Sequence, residues 1–331
     1  MAVVGGRLFF VVDGDRIQST QVGSNDASQT LATVPPCQGI NQLAASGHEL
    51  AYVVTSPGGS TAQVAGCGAA TTVAWSVWLL DLNGGSPRQV AHGVRDKSSI
   101  EVAEFPIHVA ITPTAYAFDR PPSSTAAGPG ETVEVHSLRG QLLWTSQTTA
   151  SVANVMLGGG TLAVLTYVIT QADGWLDLWR SDASNTVLHR VDGPASSASI
   201  SPDGSYLTWD LPPVAMDPAS KPLPVVGIEK LDPGNIVFPA TLTVAHAAVA
   251  RNAAVSATPD GLVVAWFATA PGGAVFPALR YVDGSAGAVL PSLQQPIWLN
   301  VENGILTWVA ASSDGWSKAA YAVDVSSLGL R

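Results

Sequence analysis

A unit of about 45–55 residues recurs along the chain. Each unit opens with a lead-in strand, a tight glycine corner and an apolar strand, and no segment carries a convincing helical period. These observations predict an all-β chain: a seven-bladed β-propeller of four-stranded antiparallel blades. Six blades is the alternative, if the two terminal units make one composite blade. The whole of 1–331 is expected to form this one domain, and a longer secreted or membrane-anchored protein is its expected context.

The corner is clearest at 199–209, SISPDGSYLTW, and at 256–266, SATPDGLVVAW. Pro presets φ at the first corner position, Asp bonds back to the turn backbone, and Gly takes positive φ. Other units reach the same corner with SGHE, GGGT and VENG.

The units run in order. The first, 2–34, reads VVGGRLFFVVDGDRIQSTQV and then SQTLATV. The second, 41–90, begins INQLAASGHELAYVVTS, makes a long excursion through Cys67 and resumes as WSVWLLDLNGGSPRQVA. At 104–149, EFPIHVAITPTAYAFDR precedes a Pro/Gly/Ser loop and TVEVHSLRGQLLWTSQT. At 151–192, SVANVMLGGGTLAVLTYV leads to GWLDLWRSDASNTVLHRVD. Units at 196–243 and 252–293 carry the two Pro-Asp-Gly corners. The last, 296–326, has no full fourth strand, which fits terminal strands that complete each other's blade. The segment 240–253, ATLTVAHAAVARNA, is rich in Ala, but its β-branched residues and its place in the repeat favour strands over a helix.

Inner strands such as TLAVLTYV and LVVAWFAT are apolar at both parities. A propeller blade is covered on both faces, whereas a sandwich would alternate more cleanly and show no period.

SPDGSYLTW (201–209) and TPDGLVVAW (258–266) resemble the repeat of the WD40-like, TolB-type bacterial propellers. That repeat has a Ser-Pro-Asp-Gly corner ahead of an aromatic-rich strand. Elsewhere the match is topological only, and no unit carries the paired Gly-His and Trp-Asp of the eukaryotic WD repeat. The resemblance implies a propeller fold and a general binding role. It transfers no catalytic residue.

Charge narrows the partners. Only 12% of residues are charged and the net charge is −10. The 15 basic residues form no cluster, so nucleic acid is not an expected partner. No apolar run approaches the ~20 residues of a spanning helix, so no transmembrane segment is expected. Cys37 and Cys67 are both flanked by turn residues and are expected to form a disulfide; two free buried thiols are the alternative. The bond would place the protein in an oxidising compartment, secreted, periplasmic or at the cell surface. No signal-peptide pattern and no glycosylation acceptor is present.

The search for chemistry finds little. The six histidines show no metal-ligand spacing, and there is no nucleophile elbow, Walker loop or dinucleotide loop. No cofactor and no metal site is expected. DGDR (13–16) and DLNGG (81–85) read as hairpin turns, and GGG (158–160) as a blade corner. A glycosidase needs two facing acids, about 5 Å or about 6.5–9.5 Å apart. The acids nearest the lead-in strands and corners are Glu104, Asp203, Asp260 and Glu302, of which Asp203 and Asp260 are explained as turn residues. Glu104 is the candidate to face a central channel.

Aromatics say more. Trp209, Trp266 and Trp308 sit at one matching position in three consecutive units, which reads as blade core. Trp75, Trp175 and Trp316 stand beside Gly or Ser ahead of a third strand, where a ring is expected to be open to stack on a sugar or peptide. The long inserts, 55–74, 119–131 and 211–224, all fall between second and third strands and are expected on one face. The expected function is recognition of a protein or glycan by these loops, without turnover. The alternative is a glycoside hydrolase or lyase using acids at the channel mouth.

Overall fold

The computed structural model describes residues 1–24, 26–56, 67, 72–96, 107–122, 130–148, 150–167, 174–180, 189–195, 198–211, 225–231, 240–243, 249–258, 260–269, 274–282, 286–290, 295–302, 304–311 and 318–330. Backbone contacts divide the chain into two units, Met1–Ala172 with Asp177–Arg190, and Asp173–Leu176 with Val191–Arg331. Among the described residues the regular structure is strand, apart from one 3-10 turn, Val325–Leu328.

The strands form consecutive meanders in chain order. The first sheet holds β1 (Ala2–Val4), β2 (Arg7–Val12), β3 (Arg16–Gln21) and β4 (Gln29–Thr33). The second holds β5 (Gly39–Ser46), β6 (Glu49–Ser56), β7 (Thr72–Asp81) and β8 (Arg88–Asp96). The third holds β9 (Val109–Ile111), β10 (Ala115–Arg120), β11 (Thr132–Ser137) and β12 (Leu142–Gln147). The fourth holds β13 (Ser151–Gly158), β14 (Thr161–Tyr167), β15 (Gly174–Arg180) and β16 (His189–Ala195). The fifth holds β17 (Ala198–Ile200), β18 (Tyr206–Leu211), β19 (Val225–Lys230) and β20 (Ala240–Thr243). The sixth holds β21 (Val249–Thr258), β22 (Gly261–Thr269), β23 (Val275–Tyr281) and β24 (Gly287–Val289). A last sheet holds β25 (Gln295–Glu302), β26 (Ile305–Ala311) and β27 (Lys318–Asp324).

Six sheets therefore have the four strands of a full blade, which matches the six-bladed alternative. Seven four-stranded blades are not supported, because among the described residues the 296–326 unit makes three strands. After β27 the backbone turns into Val325–Leu328, capped by the Asp324 side chain, which accepts from the Ser326 N–H, and closed by Gly329 in the left-handed region. β1 to β4 complete a four-stranded sheet of their own. The described residues of the Ala-rich stretch 240–253 are strand, β20 and the start of β21.

In the first unit, packing explains why inner strands are apolar at both parities. On β6, Leu50, Tyr52 and Val54 face Phe9 and Ile17 of the first sheet. The alternate residues Ala51 and Val53 face Tyr116 and Phe118 of the third sheet. On β10 the parity repeats, with Ala115 and Ala117 against Val152, Val155 and Val164 of the fourth sheet. Each such Val or Leu contributes about 1.5–3 kcal/mol by leaving water. In the second unit β22 does the same, with Val264 and Trp266 toward β19 and Val263, Ala265 and Phe267 toward β26.

First strands carry a recurring irregularity. Register shifts fall between Ile40 and Gln42, Val152 and Asn154, Arg251 and Ala254, and Pro296 and Trp298. A bulge increases local twist, which suits a strand packed beside the next sheet.

The Pro-Asp-Gly corner at 202–204 is held as its residues suggest. Ser201 Oγ donates to Asp203 Oδ1 (2.6 Å) and accepts from the Tyr206 N–H (2.9 Å). Gly204 takes a positive φ of 73°, and its N–H donates to the Ser201 carbonyl (2.8 Å). Burial resists charge on Asp203, but the Ser201 and Ser205 hydrogen bonds outweigh it and hold the carboxyl below its usual range. Trp209, Trp266 and Trp308 are all buried on the second strands β18, β22 and β26.

Candidate functional site

Antiparallel meanders sort connections by end. In each blade the second-to-third connection, and the crossing from the fourth strand to the next sheet, leave from the same end. In the first unit that end carries 57–71 (β6 to β7), 97–108 (β8 to β9) and 121–131 (β10 to β11). The opposite end carries shorter connections, at 5–6, 22–28, 47–48, 82–87, 112–114, 138–141, 159–160 and 181–188.

A buried polar cluster sits at the long-connection end of the third sheet. Asp119, near the end of β10, is 2% exposed, and Glu131, just ahead of β11, is 4% exposed. Asp119 pairs with Val133, two residues after Glu131, which brings the two carboxyl groups next to each other. The His108 backbone N–H donates to Asp119 Oδ1, and His108 Nδ1 lies 3.5 Å from the same oxygen. Glu131 Oε1 accepts from the Val152 N–H of β13 (3.3 Å), and the Glu131 N–H donates to Thr148 Oγ1 (2.9 Å). Arg95 of β8 supplies the nearby positive charge. Burial pushes the Glu131 carboxyl well above the usual carboxylate range, and the Asp119 charge and hydrogen bond push it further. Desolvation lowers the Arg95 guanidinium, while the charges of Glu131 and Asp119 raise it.

A second network lies beside it. Arg120 Nε donates to Glu134 Oε1 (2.6 Å), and Arg120 Nη1 to the His92 carbonyl (3.3 Å). Glu134 Oε2 is 2.9 Å from His136 Nε2, and the His136 ring stacks on Tyr116 and Phe118. The His136 hydrogen bond, opposed by burial and joined by Arg120, holds the Glu134 carboxyl down at about 2.

Cys37 and Cys67 are disulfide-bonded, with Cα atoms 5.5 Å apart. The bond ties the second-to-third connection of the second sheet to the 34–38 stretch. Trp75 is not at a loop. It lies on β7 opposite Gly93 of β8, 4% exposed, with the Arg120 guanidinium 5.3 Å from its ring centre and Phe118 6.2 Å away. A ring enclosed in this way offers no open face to a sugar. Strand β7 begins at Thr72, earlier than the Gly and Ser context suggests. Trp175 is on β15. Trp316 and Glu104 lie outside the described residues. Glu302 ends β25, half-buried, and burial pushes its carboxyl up to about 7.

Among the described residues, the sequence-predicted site residues that the structure brings together are the two cysteines. The Asp119–Glu131 pair was the missed feature. Its one signal is that the low-complexity insert 119–131 begins and ends on an acid. Among the described residues no group of three His, Cys, Asp or Glu could hold a metal ion, and no helix is long and apolar enough to cross a membrane.

No family model and no curated protein matches the chain. Solved structures do. The β-propeller domain of the Trilobed protease from Pyrococcus furiosus aligns with a TM-score of 0.55 at 10% identity, over 86% of this chain and 82% of that one. A structure from a study of two prolyl endopeptidases aligns at 0.60 and 12% identity, over 97% of this chain but 46% of that one. An oligogalacturonate lyase in complex with manganese aligns at 0.52 and 14% identity, over 87% and 74%. Likeness at this identity shows the β-propeller fold alone.

Proposed function

We propose that the chain is a non-catalytic binding propeller that recognises a protein or glycan through the connections at one end of its blades. The observation that carries this reading is that the three longest connections of the first unit, 57–71, 97–108 and 121–131, all leave from one end of its sheets. Rigid strands that present long segments from one end suit recognition. The disulfide pins one of these segments at Cys67, and Asp119 and Glu131 bracket another at its base. In this proposal 1–331 acts as one domain. Glu104, Trp175 and Trp316 are retained as ligand contacts and Trp75 is not.

A hydrolase or lyase is the rival reading. It needs two acids open to substrate and set about 5 Å or more apart. Asp119 and Glu131 are adjacent and buried, which argues against that use of them. The disulfide favours an extracytoplasmic setting.

Calorimetric titration with oligogalacturonides, other oligosaccharides and unstructured peptides tests the proposal, alongside a variant lacking 123–128. The expected result is saturable binding of one class without product, lost in the variant while its unfolding midpoint is kept. Turnover of a bound oligosaccharide, or binding indifferent to the deletion, would overturn it.

A further inference from the structure

The polar groups around Asp119 and Glu131 come from five elements. Arg95 arrives from β8, His108 from the stretch ahead of β9, Asp119 from β10, Thr148 from the end of β12, and the Val152 N–H from β13. Asp119 Oδ1 takes the His108 N–H, and Glu131 Oε1 takes the Val152 N–H, but Glu131 Oε2 is buried with no hydrogen-bond donor aimed at it. Two ionised carboxylates have only acceptors to offer each other. A buried carboxylate oxygen without a donor is costly, and two carboxylates in contact cannot both ionise. A hydrogen on Glu131 Oε2 resolves both problems, since it makes that oxygen the donor to Asp119. The pair then carries one negative charge, which Arg95 balances. Loss of that hydrogen would leave two buried negative charges facing one guanidinium.

We propose that Asp119 and Glu131 share a single proton, and that this proton is the fastening of a pH-sensitive joint between the third sheet and the first strand of the fourth. With the proton bound, Glu131 donates to Asp119 through one oxygen and accepts from Val152 of β13 through the other. Without it, repulsion drives the two carboxyls apart and pulls Glu131 off the Val152 N–H. The joint therefore holds in acid and neutral solution and loosens in alkaline solution. No ligand is needed for this behaviour, so it stands apart from the binding role.

Linkage fixes the sign. The folded protein holds a proton that the unfolded chain releases near the ordinary glutamate pKa of 4.5. This contribution to stability is thus complete below that value and is lost as pH rises through the folded value.

The test labels Glu side chains of the full chain with 13C and follows the Glu131 carboxyl signal, assigned by loss in Glu131→Gln, from pH 4 to pH 10. Thermal unfolding of wild type and Glu131→Gln is measured over the same range. The glutamine keeps a donor toward Asp119 and has no proton to lose. The expected results are a Glu131 midpoint above pH 7 and a wild-type unfolding temperature that falls by several degrees relative to Glu131→Gln between pH 6 and pH 9. A Glu131 midpoint near 4.5, or parallel unfolding profiles, would overturn the proposal. If the variant does not fold, comparison with Glu131→Asp assigns the signal, and the wild-type midpoint decides alone.

Discussion

The indole of Trp209 occupies the space beside Gly227, its partner across β18 and β19, where any side chain would have to stand. Trp75 and Gly93 repeat the relationship across β7 and β8, where an added Cβ would lie 2.5 Å from the ring. The glycine in each pair is required by its neighbour and not by its own backbone angles. Gly227→Ala should therefore destabilise the fold by about 1–3 kcal/mol, the usual cost of overpacking a filled core. Urea unfolding checks this, and an unchanged midpoint would show that the ring has room to move.

The disulfide closes a loop across a sequence separation of 30. Chain-entropy arithmetic assigns such a closure about 3–4 kcal/mol. Replacing Cys37 and Cys67 together by Ser should lower stability by up to this amount and remove any response to reductant. Denaturant curves with and without dithiothreitol for both proteins give the answer; coincident wild-type curves would sink the expectation.

Glu302 titrates alone. Burial raises its carboxyl to about 7, so the folded state keeps a proton that the unfolded chain gives up near 4.5. Stability from this group should decline as pH climbs from about 4.5 to about 7. Glu302→Gln should flatten the unfolding profile across that window. A profile as steep in the variant as in wild type would refute this assignment.

Glu134 has the opposite sign. Its folded value of about 2 lies below the ordinary 4.5, so its contribution is present above 4.5 and disappears as pH drops through the folded value. Acid unfolding of Glu134→Gln, followed by circular dichroism between pH 5 and pH 2, should show a shallower loss than wild type. Arg120→Lys should show the same trend in part, because a lysine cannot reproduce the two-pronged contact of Arg120 with Glu134.

Much of the fold was legible because propeller blades announce themselves locally. Two corners carry Pro, Asp and Gly in a fixed order and others turn on a glycine, and ELAYVVTS is apolar at both parities because β6 meets a sheet on each face. The blade count was legible only as the six-bladed alternative. The last unit already reads as lacking a full fourth strand, and the Val325–Leu328 turn follows β27 where a further strand would begin. Trp75 misled because its near neighbours in sequence are small, while the residue that encloses it, Gly93, lies on the next strand. The Asp119–Glu131 pair was hidden by composition. It depends on the β10–β11 register, which sets Arg120 opposite Thr132 and so brings the two ends of the insert together.

The division of connections by length has a consequence for how such a chain can change over time. Doubling a segment whose ends are already held side by side adds only about 0.6 kcal/mol of closure entropy. Sequence placed between Asp119 and Glu131, or between β6 and β7, is thus nearly free of the constraints that govern the corners. Selection acting there can exchange whole cassettes, as an antibody exchanges its hypervariable loops, while the strands beneath keep their register.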